Sequence, residues 1–410
     1  SLRQAIDEAT RGYVDAKLRD RYAAEAGPAL KWLLGHGVRT INAGAATRSL
    51  ATLAPPVPRQ PGLHWSGRAG DVMLRQLAGK IEALGGKLQR GMRARELIMK
   101  DGRVAGVIAD AVGGTQRIEA RAVVLADGGF QANSDLLKRF VSAHPERLLQ
   151  RNAKSGRGDG LLMAEVVGAA LSDMDRFYGH VQARDAMDDP ELWPYPTIDF
   201  PIAAGIAADK HGRRFTDEGL AGVSVANAIA RLDDPLGAVA IFDQAIWELS
   251  GKTYVMSANP FLETTEATFY RAQTLDELAA KAGLPAAALA ETVAHYNNAV
   301  ASNTTAQLTP ARSADIGHIW GSKALPIRTA PFFAVPLCAG ITYTMGGVVI
   351  DDHARVQHKE GRAIAGLYAA GGTIGGLEGG PVTGYTGGLA KALTWGKLAG
   401  EAAASDIKGN

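Results

Sequence analysis

The 410-residue sequence predicts an α/β fold in which one nucleotide-type domain is interrupted by an inserted α+β cap. Three observations predict it. A mostly apolar run, Arg121 to Ala126, ends in Asp127-Gly128-Gly129, the pattern of a buried parallel strand feeding a loop. A second such unit returns late: Leu367 to Ala370, a glycine-rich loop, then a helix from about Leu389 to Ala404. Between them, residues 178–333 are denser in aromatics, prolines and polar loops. The expected division is 1–177, first part of the interrupted domain; 178–333, the cap; and 334–410, the second part. Two or three domains suit this length at roughly 150 residues each.

Residues 1–38 read as helices. Leu30, Leu33 and Leu34 have helical spacing, Pro28 suits a first turn, and Gly35 with Gly37 ends the pattern. Four prolines between 52 and 63 mark a loop. Asp71 to Leu84 is an amphipathic helix stopped by Gly85-Gly86. Arg93 to Met99, Val104 to Ala109 and Gln116 to Ala120 alternate like a meander, with Asp101-Gly102 as a hairpin turn. Residues 156–170 join a glycine loop to a helix around Leu161 to Ala164, and the cap holds helices at Leu275 to Ala282 and Pro285 to Ala301. Val348 to Ile350 is the strand that opens the return.

Composition narrows the function classes. Hydrophobic residues at 46% and charged residues at 21% exclude bulk disorder. A net charge of +2 gives no footprint for nucleic acid. No apolar run reaches the ~18 residues of a membrane span. The polar start, Ser1-Leu2-Arg3-Gln4, is no signal peptide. The single cysteine, Cys338, reads as a small core residue, and a reducing, cytoplasmic setting is expected.

Generic motifs are absent. There is no Gly-x-Gly-x-x-Gly, no Walker loop, no Gly-x-Ser-x-Gly elbow, and no histidine pair at helical metal spacing, so no metal site is expected. The chain has 49 glycines, and nine of them fall in the eighteen residues from Gly371 to Gly388. A strand that ends in such a loop lets backbone approach a ligand closely. The helix that follows presents unpaired N–H groups and a positive dipole end, which stabilise negative charge.

Five blocks occur in order: Ala126-Asp127-Gly128-Gly129-Phe130; Gly158-Asp159-Gly160; Gly212 to Glu218; Tyr343-Thr344-Met345-Gly346-Gly347-Val348; and Gly366 to Gly371. Together they resemble the FAD-binding superfamily of fumarate reductase and succinate dehydrogenase flavoproteins, whose relatives include 3-ketosteroid dehydrogenases and tricarballylate dehydrogenase. The resemblance implies a discontinuous, Rossmann-like FAD-binding domain with a capping domain over the flavin. It implies that Asp127, Gly128 and Gly129 lie along the FAD and that Asp159 contacts it. Gly371 and Gly372 follow the second strand, and the segment Gly387, Gly388, Leu389, Ala390 to Lys391 faces the isoalloxazine. The family's glutamate after Ala-Ala-Gly is Gly372 here. The resemblance also places a first strand and glycine fingerprint, roughly 50 to 60 residues, ahead of Ser1. Without that cradle, residues 1–410 alone are expected to bind FAD weakly or not at all.

By the same resemblance, His180 is a substrate-binding histidine, and Tyr343 stands where a second such histidine would be. The substrate-clamping arginine of the glycine loop and the proton-donating arginine of the cap have no counterpart, which argues against fumarate as substrate. Tyr385, before Thr386-Gly387-Gly388, resembles the Tyr-Pro-Gly of the ketosteroid and tricarballylate enzymes. A tyrosine hydroxyl beside a flavin can polarise a carbonyl or help move a proton α to it. The expected activity is an FAD-dependent dehydrogenase or reductase that transfers hydride between flavin N5 and a C–C bond beside a carbonyl or carboxylate, with Tyr385, Tyr343 and His180 as catalytic candidates. It would take a small-molecule substrate and exchange electrons with a partner. The alternatives are a scaffold that has lost its cofactor and a fumarate/succinate-type reductase. Glu218 reads mainly as a structural ion pair, His353 and His358 as solvated, and His64 to Gly70 as a loop and helix cap or a site lining.

Overall fold

A computed structural model describes residues 1–43, 50–56, 66–192, 197–252, 261–313 and 323–408. The 13-residue strand Phe332–Thr344 organises the larger of two hydrophobic cores. Its first half pairs antiparallel with Val239–Asp243 and Tyr270–Ala272. Its second half pairs parallel with Leu148–Gln150 and antiparallel with Phe177–Ala183. Phe333 to Ile341 are all buried, which is why this stretch reads as a continuous apolar run rather than an alternation. Cys338 lies in that run, and burial pushes its thiol well above the ordinary range. The expected boundary at 333/334 falls inside this strand.

The second core gathers the sequence-distant parts of the interrupted domain. Val123–Leu125 runs parallel to Ala363–Ala369, which pairs antiparallel with Arg355–Gln357. The helices Leu2–Thr10, Ala16–Gly35 and Gly388–Lys408 pack Ile6, Leu18, Tyr22, Trp395, Leu398 and Ala399 into it. The meander forms as expected from Met92–Lys100, Arg103–Ala111 and Gly114–Glu119. At its first turn Asp101 and Gly102 have φ of +49° and +75°, the type I′ geometry that matches strand twist.

Three expectations change. Pro28 does not open a helix; it lies inside the 20-residue helix Ala16–Gly35. A proline there forfeits one backbone hydrogen bond, and the buried stripe Leu18, Tyr22, Ala29 and Leu33 carries the helix through. Val123–Leu125 is not buried on both faces. Among the described residues its one strand partner is Ala363–Ala369, and Val124 is 40% exposed. His358 is not free in solvent; its ring lies where a Cβ on Gly168 would be, 2.1 Å away. The segment around His64 and Trp65 lies outside the described residues. Among the described residues no helix is long and apolar enough to cross a membrane.

Candidate active site

Three loops meet at the carboxyl ends of the parallel strands Val123–Leu125 and Ala363–Ala369. They approach so closely, backbone to backbone and backbone to side chain, that a Cβ has no room, which explains their glycines. A Cβ on Gly372 would stand 3.1 Å from the Gly129 nitrogen, one on Gly160 2.2 Å from Asp127 Oδ1, and one on Gly129 2.2 Å from Thr344 Oγ1. Asp127 Oδ2 accepts the Gly160 N–H at 2.8 Å, and the Gly128 N–H donates to Thr373 Oγ1 at 3.1 Å. Burial pushes the Asp127 carboxyl above the usual carboxylate range. Asp159 is held by Arg93 of the meander through two bonds of 2.8 and 2.6 Å.

The helix Gly388–Lys408 begins beside these loops, with Gly371 against Ala392. The Gly388 N–H donates to the Tyr385 hydroxyl at 3.0 Å. The N–H groups of Leu389 and Ala390 have no acceptor among the described residues, and Leu389 is 66% exposed. Two unclaimed donors at a positive helix end suit the electron-rich carbonyl edge of a ring. Gly128, at φ +91°, has only the Gly156 Cα within 4 Å of a Cβ position and leaves its surface open. The donors and the open backbone both fit a flavin dinucleotide.

Over this edge stands a group of aromatic hydroxyls. Tyr178 and His180 lie two apart on Phe177–Ala183, hence on one face, and their register partners are Tyr343 and Gly340. Tyr178 stacks on Tyr385 with ring centroids 4.0 Å apart at 17°, and lies 5.5 Å from Tyr343. Its hydroxyl hydrogen-bonds with that of Tyr385 and sits 3.1 Å from His180 Nε2. His180 is buried, with Nδ1 against the Asp199 carboxylate, which also accepts the Val181 N–H at 2.8 Å. Burial raises all three tyrosine hydroxyls above their ordinary range.

Behind Tyr343 lies a buried ion pair. Lys391 Nζ is 2.6 Å from Glu378 Oε2, and the two side chains are 1% and 0% exposed. Tyr343 donates to the same oxygen at 2.8 Å, while Glu378 Oε1 accepts the Thr386 N–H at 3.0 Å and its hydroxyl at 3.2 Å.

The structure thus brings His180, Tyr343, Tyr385 and the segment Gly387 to Ala390 together, with the loops of Asp127 to Gly129 and Gly371 to Gly372 alongside. Sequence reasoning missed Tyr178, Asp199 and Glu378, and placed Lys391 at the end of the ring-facing segment, whereas its ammonium is turned to Glu378 in a buried pair. Two signals were available: Tyr178 lies at strand period two from His180, and Lys391 and Glu378 are charges inside otherwise apolar or glycine-rich runs. Glu218 is bound bidentately by Arg214 within the larger core's surroundings, as a structural pair would be. Asp351, Asp352 and His353 could bring three ligand atoms within 4.8 Å of one another, but on a partly exposed turn away from the tyrosines.

Parallel strands ending in glycine loops beside an unclaimed helix N-terminus define a dinucleotide-binding α/β protein. Residues 1–384 match the FAD binding domain family, and the chain belongs to it. FAD is its cofactor, and its superfamily is that of the fumarate reductase and succinate dehydrogenase flavoproteins. It is 31% identical over 350 residues to an NADH:acrylate oxidoreductase of Vibrio harveyi, covering 81% of this chain and 32% of that protein. It is similar to the open conformation of a flavocytochrome c3 fumarate reductase, at 26% identity and TM-score 0.64, over 99% of this chain and 67% of that one. It is similar too to a 3-ketosteroid-Δ4-(5α)-dehydrogenase of Rhodococcus jostii RHA1, at 25% identity and TM-score 0.63, over 95% and 80%. The chain spans 32% of the acrylate oxidoreductase and 61% of a probable fumarate reductase of Shewanella frigidimarina, so it corresponds to part of those relatives.

Proposed function

We propose that this chain forms the flavin and substrate site of an FAD-dependent oxidoreductase acting on a C–C bond beside a carbonyl or carboxylate. The observation that carries the reading is the tyrosine group, backed by His180 and Asp199, standing over the free end of the helix Gly388–Lys408. When bound, FAD would supply hydride transfer at N5. Asp127, Gly128, Gly129, Asp159, Gly371 and Gly372 would line the dinucleotide, and Gly387, Gly388, Leu389 and Ala390 the ring. Tyr385 receives the Gly388 N–H on its oxygen, which leaves its own hydrogen to offer to a substrate carbonyl. Tyr343 and His180 complete the proton-handling set.

The division 1–177, 178–333 and 334–410 is part of this reading, with the substrate held against the cap's face. A cytoplasmic setting and an electron-transfer partner belong to it as well, the first supported by a single, buried cysteine. To test the activity, the chain with excess FAD is reduced by dithionite under argon and mixed with 2-cyclohexenone, 4-androstene-3,17-dione, acrylate and fumarate. Reoxidation by at least one unsaturated carbonyl or carboxylate is expected. Reoxidation by none of them would sink the reading and leave a scaffold without catalysis.

A further inference from the structure

We propose that Glu378, held by Lys391, is the positioning residue that makes Tyr343 the proton acceptor of this site. The inference rests on the function proposed above and assigns the two tyrosines opposite tasks.

A buried carboxylate and ammonium cost more to desolvate than an apolar pair of the same size, so stability alone gives no reason to keep them. Their geometry gives one. Glu378 receives four donors on two oxygens: Thr386 twice on Oε1, Tyr343 and Lys391 on Oε2. The Tyr343 hydrogen is therefore committed to Glu378, and what its oxygen has left to offer is lone pairs. Lys391 also sits 5.2 Å from the Tyr343 ring centre, which fixes the ring from the other side. Tyr385 has the reverse polarity, since its oxygen is fed by the Gly388 N–H. One hydroxyl can thus donate to a carbonyl while the other accepts from the carbon next to it.

The step moves one proton and no net electrons. The α C–H bond of a carbonyl substrate breaks, and its electron pair stays on the substrate as the enolate. The proton forms an O–H bond with Tyr343. Tyr343 releases its own proton across 2.8 Å to Glu378 Oε2, which becomes a neutral acid beside the Lys391 ammonium. In the reducing direction the same relay runs backwards.

The test uses the FAD-loaded chain with cyclohexanone in D2O, reading α-deuteration by NMR, together with 3-fluorotyrosine placed at position 343. Wild type should deuterate the probe. Glu378→Gln should do so about tenfold more slowly or worse, with KM for the ketone unchanged, and Glu378→Asp should recover part of the loss. The 19F resonance at 343 should move in Glu378→Gln while the folded variant keeps the wild-type far-UV circular dichroism at the assay temperature. Deuteration by Glu378→Gln at the wild-type rate, with enone reduction intact, overturns the relay and leaves the proposed function standing. If wild type neither deuterates cyclohexanone nor reduces any of the unsaturated probes, both fall.

Discussion

Lys391→Met isolates the cost of the buried ion pair. Methionine keeps most of the stem's volume and removes the ammonium 2.6 Å from Glu378. The carboxylate, 0% exposed, keeps its Tyr343 and Thr386 donors but loses its countercharge. Removing one partner of a buried pair costs about 3–5 kcal/mol, a large part of the roughly 5–15 kcal/mol that holds a domain together. With an m near 3 kcal/mol/M, the urea midpoint should fall by about 1 M or more. The second arm is Glu378→Gln combined with Lys391→Met. The neutral amide keeps an acceptor oxygen and carries no charge, so the double variant should be more stable than Lys391→Met alone. The assay is urea unfolding by far-UV circular dichroism on wild type, both single variants and the double. A Lys391→Met midpoint within about 0.3 M of wild type would refute the account. So would single-variant costs that simply add in the double, since residues in contact are expected to couple.

Other outcomes follow from the same geometry. Gly129→Ala puts a Cβ 2.2 Å from Thr344 Oγ1 and 2.7 Å from Gln131 Oε1, so it should cost about 1–3 kcal/mol and lower FAD retention, read by urea unfolding and by flavin absorbance after desalting. Tyr13 donates to Asp173 at 2.5 Å, and that bond raises its ionisation from 10.0 to about 12. Stability from this group is complete below pH 10 and is lost as pH rises through about 12; Tyr13→Phe should lack this part of the alkaline loss in urea midpoints taken across that range. Tyr385→Phe should lower turnover by ~10² or more on whichever probe the wild type uses, and unchanged turnover would remove Tyr385 from the chemistry.

Much of the fold was legible because it rests on local signals. The meander has an Asp-Gly turn, the helix Leu275–Ala282 is bounded by Thr274 and Gly283, and the two glycine-ended strands are adjacent despite over two hundred intervening residues. Periodicity cannot say which side of a short apolar run lacks a neighbour, so the exposure of Val124 was not visible. At the site, residue types with a chemical reputation were found, and their partners were not. Asp199 sits nineteen positions from His180 and meets it only because the chain has glycine at 222, where a Cβ would stand 2.1 Å from the Asp199 carboxyl carbon. Glu378 and Lys391 are likewise joined by a loop whose path no spacing rule gives.

Those partners bear on which substrate the site can hold. A dicarboxylate brings two negative charges out of water and needs cations to receive them. Around the tyrosines the carboxylates already have partners: Asp199 faces His180 Nδ1, and Glu378 faces Lys391. Arg151 bonds to Thr342 Oγ1 at 3.0 Å and lowers the ionisation of Tyr178, so its guanidinium stands near the tyrosines. Three hydroxyls beside charges that already have partners suit a molecule carrying one carboxylate, or none, and a carbonyl next to the reacting bond. On that argument acrylate and the enones should reoxidise the reduced protein faster than fumarate. If fumarate is the faster acceptor, the pairing of His180 and Lys391 with their carboxylates must break on binding, and Asp199→Asn should then raise the rate with fumarate rather than lower it.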